Sequence, residues 1–471
     1  MLNYKNIFLA TTMTALLSSC GSDFLNLDPH QQIGDDVVIQ KVEDISTVLS
    51  GVYNRMGSAG FIGRNLTAIG DVATDNVYNA NATNHLSAIF DYTYQPTSSD
   101  LTSVWNAGYK VIDHSARIIH SAPKLLASVT SKSDSAKIYS GLSQAYALRG
   151  YATFALTNLF ALPYSADNLQ EPGVVLVEEP IAVFQKIKRA SLEETYAYIT
   201  EQFEFATNYA KVGSAIANSQ FYMNPRAIAA MKARVALYKG NYADAKVFAK
   251  EAIGKIEEEN RIATTETAYN EMFDKVSGTP EDIFVIAKSS DDHLSANSLN
   301  TLYNNYGLGI SDDLAALYDS TDVRFSKMTT YDKNGYYTGG KYAADVANVS
   351  VIRLPEMYLI VAECEAEQGN AVAATAALYE VAKRNLAITS VAKLPTELDA
   401  IKAFIVDERR RELFQEGHRL NDVRRRRETI KVAGGAKELT DGQILYPIPA
   451  DEINTGLGVT QNDNWTSYLP K

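Results

Sequence analysis

Apolar positions in this chain recur mostly at helical spacing. From Ile138 they return at Leu142, Ala145, Leu148, Ala152, Ala155 and Leu159, the i, i+4, i+7 rhythm of a buried helix face. A second helix opens at Ser191-Leu192-Glu193-Glu194, where a serine followed three residues later by glutamate makes a capping box. It carries Leu192, Ile199, Phe203 and Ala206 on one side. Strand-like runs are short and local, at Val174–Val177 and Ile283–Ala287. Three long stretches, roughly 58–100, 161–190 and 259–350, show no clear period, and loops of that length inside a domain tend to carry function. The pattern predicts an all-α scaffold whose variable surface consists of long irregular loops with short strands.

The chain also repeats itself. Ala233–Ala245 aligns with Ala362–Ala374 at a constant offset of 129 residues, each reading as a helix, a Gly-Asn turn and a second helix. Gly240 and Gly369 would supply the left-handed residue after the first helix, and Asn241 and Asn370 the cap of the next. Small residues at the crossing fit helix pairs of the tetratricopeptide kind.

The N-terminus is a different object. Lys5 precedes an apolar run from Ile7 to Leu17, then Ser18-Ser19-Cys20. A positive residue, an apolar stretch and small residues before a cut form a secretory leader, and the run falls short of the about 20 apolar residues that span a bilayer. Leu17-Ser18-Ser19-Cys20 is similar to the lipobox of bacterial lipoproteins, so residues 1–19 are expected to leave and Cys20 to be acylated. Two or more acyl chains hold a protein stably on a membrane. Everything after Cys20 is then expected to be held by lipid alone. The second of the two cysteines, Cys364, sits among small helical residues and is expected to be buried packing.

Charge and motifs narrow the function. Acidic residues number 56 against 44 basic ones, a formal net charge of −12, which repels phosphate backbones and argues against nucleic-acid binding. Eight arginines between 409 and 427 look contrary, but Asp407 with Arg411, Glu416 with Arg419 and Asp422 with Arg426 fall at helical ion-pair spacing, so a laced ion-pair face with a structural role is expected. The six histidines show no His-Glu-x-x-His pattern, and neither a Gly-x-Ser-x-Gly elbow nor a Gly-Lys-Ser/Thr phosphate loop occurs. Gly307-Leu308-Gly309 reads as a turn, and Asp312-Asp313 is unremarkable in an acidic protein. A binding protein without metal or cofactor is expected, with a lipid-anchored surface hydrolase as the alternative of another class.

Several segments together resemble SusD/RagB-type outer-membrane lipoproteins of Bacteroidota: Cys20–Leu25 through Asp28-Pro29; Ala147–Phe154 with Asn158–Tyr164; Ile352–Glu363; above all Glu408–Arg425; and Tyr446–Asn454 with Gln461-Asn462. Leu420 and Asn421 stand where the family usually has aromatic residues, and Ala161 replaces its usual glycine. The resemblance implies about four tetratricopeptide-like helix pairs in a right-handed scaffold. It implies a single domain over 20–471, with an N-terminal part of about 21–220 and a C-terminal part of about 275–471. It also implies a cell-surface lid on a SusC-like TonB-dependent transporter that binds nutrient oligomers, glycans most often and peptides in the RagB-like alternative.

Glycan binding needs flat rings against sugar C–H faces and polar groups for the hydroxyls. Trp105, at the opening of a helix, and Trp465, in the C-terminal tail, read as packing, so tyrosine must serve. Seven of the 28 tyrosines fall within 303–342. Tyr318 follows a helical Leu314-Leu317 pattern and reads as core, whereas Tyr336 and Tyr337, among glycines, read as exposed. Tyr303, Tyr306, Tyr336 and Tyr337 are therefore candidate ligand residues. So are Asp71, Asp75, Asn76, Tyr78 and Asn81 in the polar loop 70–81. Loop packing and Asx-turns are the competing explanations of both sets.

Overall fold

Two long helices organise the N-terminal half of the computed structural model, which describes residues 39–468 except 80–84, 183, 217–219, 255–260, 274–275, 332–339 and 343. The leader, Cys20, Asn81, Tyr336 and Tyr337 lie outside the described residues. The order begins α1 (Val42–Met56), α2 (Asn65–Val72), β1 (Val77–Asn79), α3 (Ser99–Ser128) and α4 (Lys132–Phe160). It continues with β2 (Pro172–Val175), β3 (Arg189–Ser191) and α5 (Leu192–Val212). Ile138, Leu142, Ala145, Leu148, Ala152 and Leu159 are buried as their spacing predicts, but α4 is enclosed on almost every side, because α1, α3 and α5 all pack on it. The capping box of α5 is formed as predicted: the Glu194 amide donates to Ser191 Oγ at 3.1 Å and the Ser191 amide to Glu194 Oε2 at 2.8 Å. Trp105 lies in the second turn of α3 rather than opening it, buried edge-on against Phe160 at 5.1 Å, with its indole N–H donating to Glu452 at 3.2 Å.

The C-terminal half runs α6 (Pro225–Tyr238), α7 (Tyr242–Ile253), α8 (Glu266–Phe273), β4 (Asp282–Ile286), β5 (Leu308–Ile310) and β6 (Val349–Arg353). Then follow α9 (Leu354–Glu367), α10 (Ala371–Ala382), α11 (Leu398–Leu413), α12 (Arg419–Arg426) and a hairpin of β7 (Ile430–Val432) with β8 (Lys437–Leu439). The internal repeat is two helical hairpins, α6–α7 and α9–α10, stacked through α7 and α9. Gly240 and Gly369 adopt φ of +71° and +81°, which an L side chain resists although open space surrounds both. Asn241 caps α7 by accepting from the Asp244 amide at 3.2 Å, but Asn370 makes no cap bond and instead donates to Glu365 at 2.9 Å. One apolar core joins the two halves, and a second cluster (Leu359, Leu378, Ile401, Ile405 among it) fills the space between α9, α10 and α11. Cys364 is buried as expected, and burial together with Glu363 pushes its thiol up to about 12. The fold is mostly helical, with tetratricopeptide-like pairing. Among the described residues no helix is long and apolar enough to cross a membrane.

The arginine-rich stretch is laced by ion pairs as expected, but largely with other partners and in the interior. Arg409, Arg419 and Arg424 are buried, so the segment is an interior ion network and not a solvated face. Asp422 does approach Arg426, at 3.8 Å, but its close partners are Arg409 at 2.8 Å and Arg425 at 2.9 Å. Arg411 pairs with Glu408 at 2.7 Å, and Glu416 turns to Lys341 and Arg353 rather than Arg419. Glu412 is the hub: Arg353 lies 2.8 Å away, Arg324 2.9 Å and Arg384 3.1 Å, all four side chains fully enclosed. The network fastens the irregular segment 259–350 to α11, with Arg384 and Arg353 also holding Glu281 at 2.7 and 2.9 Å.

Candidate functional site

Two loops far apart in sequence meet because β1 pairs antiparallel with β5, Val77 opposite Ile310, Tyr78 opposite Gly309 and Asn79 opposite Leu308. Ser311 seals the junction: its amide donates to the Asn76 carbonyl at 2.9 Å and its hydroxyl to the Asp75 carbonyl at 2.6 Å. A π-helical turn, Thr301–Asn305, precedes β5, a wide turn often found at functional sites. Gly307, at φ +77°, bends the chain out of it into the strand. Gly307-Leu308-Gly309 is therefore half turn and half strand, more than the turn its sequence suggests.

Burial sorts the expected ligand residues. Asp71, Asn76 and Tyr303 lie inside the fold, which corrects their assignment as ligand contacts. Asp71 accepts from the Asn76 amide at 3.1 Å and from the backbone N–H of Gln415 at 2.9 Å. Burial pushes its carboxyl up to about 7 against those bonds. Tyr303 packs edge-on against Phe414. Asp75 is half-buried and accepts two bonds from Arg419, each 2.8 Å, while Arg410 donates to Asn76 at 3.0 Å. Tyr318 is core, as its spacing predicts, and its hydroxyl donates to the Arg411 carbonyl at 2.7 Å. Tyr78 is 39% exposed at the strand junction, and Tyr306 is half-buried. These last two, with the half-buried Asp75, are what remains of the expected set among the described residues.

Sequence reasoning missed the partner of Tyr306. Its ring stacks on His85 with centroids 3.8 Å apart and planes 9° from parallel. Arg64 and Asp100 stand close enough to act on this pair electrostatically. Arg64 donates to Asn297 at 3.1 Å and to Asn65 at 2.9 Å, and Asn65 in turn donates to Asp100 at 3.3 Å. Burial raises the Asp100 carboxyl, with Arg64, Asn65 and His85 opposing. The result is a stacked ring pair whose outer face is flat and aromatic, edged by a guanidinium, an amide and a carboxylate. Such a surface suits a ligand with an apolar face and hydroxyl edges. No single loop signals it, because His85 and Tyr306 belong to different ones.

Comparison with known proteins places the chain. Residues 249–465 match the model described as "SusD family", and residues 23–237 match one described as "Starch-binding associating with outer membrane". A SusD-like protein of Formosa agariphila is 22% identical, covering 95% of this chain and 97% of its own. A Bacteroides vulgatus structure, described as a candidate sugar-binding protein, is 27% identical with a TM-score of 0.82 over 91% of this chain and 100% of its own. A SusD superfamily protein of Bacteroides thetaiotaomicron shares the fold at 22% identity, with a TM-score of 0.78 over 90% of this chain and 100% of its own. These are families of binding proteins, not enzymes, which sets the hydrolase alternative aside. Matched in both halves and along its length, the chain belongs to the SusD family.

Proposed function

We propose that this protein captures carbohydrate at the cell surface, held to the outer membrane by lipid on Cys20, and passes it to a SusC-like TonB-dependent transporter. The observation that carries the carbohydrate reading is the His85–Tyr306 platform, with Arg64, Asp100 and Asn297 at its edge. Rings without tryptophan can still take a sugar face, and the polar edge supplies both donors and acceptors for hydroxyls. The family description as starch-binding favours glycans over peptides. Tyr78, and by sequence Asn81, Tyr336 and Tyr337, extend the same site in this reading. The lipid anchor and the transporter come from the leader sequence and from family membership.

A glycan and peptide array probed with the mature protein tests the reading. Binding to glycans that falls away in Tyr306→Ala supports it, and binding to peptides alone overturns it.

A further inference from the structure

A second concave site lies away from the strand junction. A cleft of about 270 Å³ is walled by the C-terminal half of α1, by Phe221-Tyr222 ahead of α6, and by the chain leaving β4. Lys288 lines it with its side chain only 4% exposed, yet its ammonium makes no hydrogen bond among the described residues. The nearest carboxylate, Asp292, is 3.6 Å away and half exposed. Lys341, equally enclosed, shows the usual arrangement: it donates to the Glu412 carbonyl at 2.7 Å and to Glu416 at 2.6 Å. The ion pair with Asp292 is too long for a hydrogen bond, so the Lys288 ammonium keeps donors for an acceptor that enters the cleft. The end of α1 nearby favours the positive charge but brings no acceptor within bonding reach.

The other walls define what the acceptor belongs to. Tyr222 is 44% exposed, stands edge-on to Tyr53 at 5.5 Å, and its hydroxyl makes no hydrogen bond among the described residues. The Tyr53 hydroxyl, by contrast, is fully used: it donates to Gln144 at 2.8 Å and accepts from the Met223 amide at 2.9 Å. Asn54 presents an exposed amide on the same rim. An anion entering here would meet Asp292, and a cation would meet Lys288. A neutral vicinal diol satisfies both, one hydroxyl accepting from Lys288 while its neighbour donates to Asp292 across the gap. The volume is below the ~300–1,000 Å³ of sites for drug-sized ligands, which suits one sugar ring and not a chain.

From these contacts we infer a second saccharide site, in which one neutral pyranose stacks on Tyr222 and bridges Lys288 and Asp292. It deepens the carbohydrate reading and rests on it, but uses none of the strand-junction residues. The test is saturation-transfer NMR with the methyl pyranosides of glucose, galactose and mannose, and with glucuronate. The protein is the mature chain, as wild type and as a His85→Ala/Tyr306→Ala double variant lacking the first platform. Expected is transfer to at least one neutral pyranoside that survives in the double variant. Adding Tyr222→Ala or the surface change Asp292→Asn should then weaken it by about tenfold, the order of one lost stacked ring. Transfer in the wild type that vanishes in the double variant, or that neither added change moves, overturns the second site alone. Glucuronate binding as well as the neutral sugars overturns its chemistry. No transfer to the wild type overturns the carbohydrate reading and this site with it.

Discussion

Arg419 grips Asp75 through both carboxylate oxygens, 2.8 Å each, joining α12 to a loop 344 residues away in sequence. Burial pushes the Asp75 carboxyl up, but Arg419 and Arg410 outweigh it and hold it below the usual carboxylate range. Asp75→Ala should therefore cost stability, about 3–5 kcal/mol for breaking an enclosed pair, and not ligand affinity alone. Because the folded carboxyl is held low, its contribution is present above the ordinary value of 3.8 and lost as pH falls further. Thermal melts of wild type and variant should converge in acid; an unchanged melt at neutral pH would free Asp75 for ligand.

Glu412 makes the same case more strongly. Burial raises its carboxyl, yet Arg384, Arg353 and Arg324 together hold it far below 4.5. Glu412→Gln leaves three enclosed guanidinium groups short of a counter-charge and should destabilise by about 3–5 kcal/mol. The stability it supplies is full above pH 4.5 and drains away below it. Denaturant titrations at neutral pH and in acid measure both statements.

The platform predicts the opposite separation. His85→Ala or Tyr306→Ala should weaken glycan binding by roughly 1–3 kcal/mol, taking the stacking of bases on aromatic side chains as the scale. Melting should move little, since both rings are only half-buried. Asn76→Ala should behave in reverse, lowering the melt, because its amide and carbonyl serve Asp71 and Arg410. Calorimetry beside a melting curve on the three variants distinguishes ligand contact from support.

Gly70 is where α2 touches the turn before α12. A Cβ there would stand 2.3 Å from the Gly417 carbonyl oxygen and 2.4 Å from its Cα, with backbone on both sides. Gly70→Ala should cost about 1–3 kcal/mol through overpacking, and a melt within error of wild type would show that the two segments separate easily.

Anchoring is tested at Cys20. Cys20→Ala should move the protein from the membrane fraction to the soluble one; retention would require another attachment.

The sequence discloses what is local. The period from Ile138, the Ser191 box and the repeat of Ala233 in Ala362 each depend on neighbours within one or two turns, and each reappears in the fold. What stays hidden depends on distance along the chain. Arg353 and Glu412 look like surface charges until β6 and α11 bring them together in the interior. Asp71 and Asn76 have the composition of a ligand loop, but their polar atoms are used to hold the loop itself. His85 gives no signal because the ring it stacks on follows a π-helical turn some two hundred residues later.

The pairing of β1 with β5 has a kinetic side. Each strand has three residues, and their union closes a loop of more than two hundred, an entropic cost that local strand propensity cannot meet. The helices must align first, so the binding platform is assembled late and, by the same reasoning, parts before the scaffold unfolds. Amide exchange at Val77 and Ile310 should accordingly be faster than at Ile138 or Leu148, and should slow selectively once a sugar occupies His85 and Tyr306.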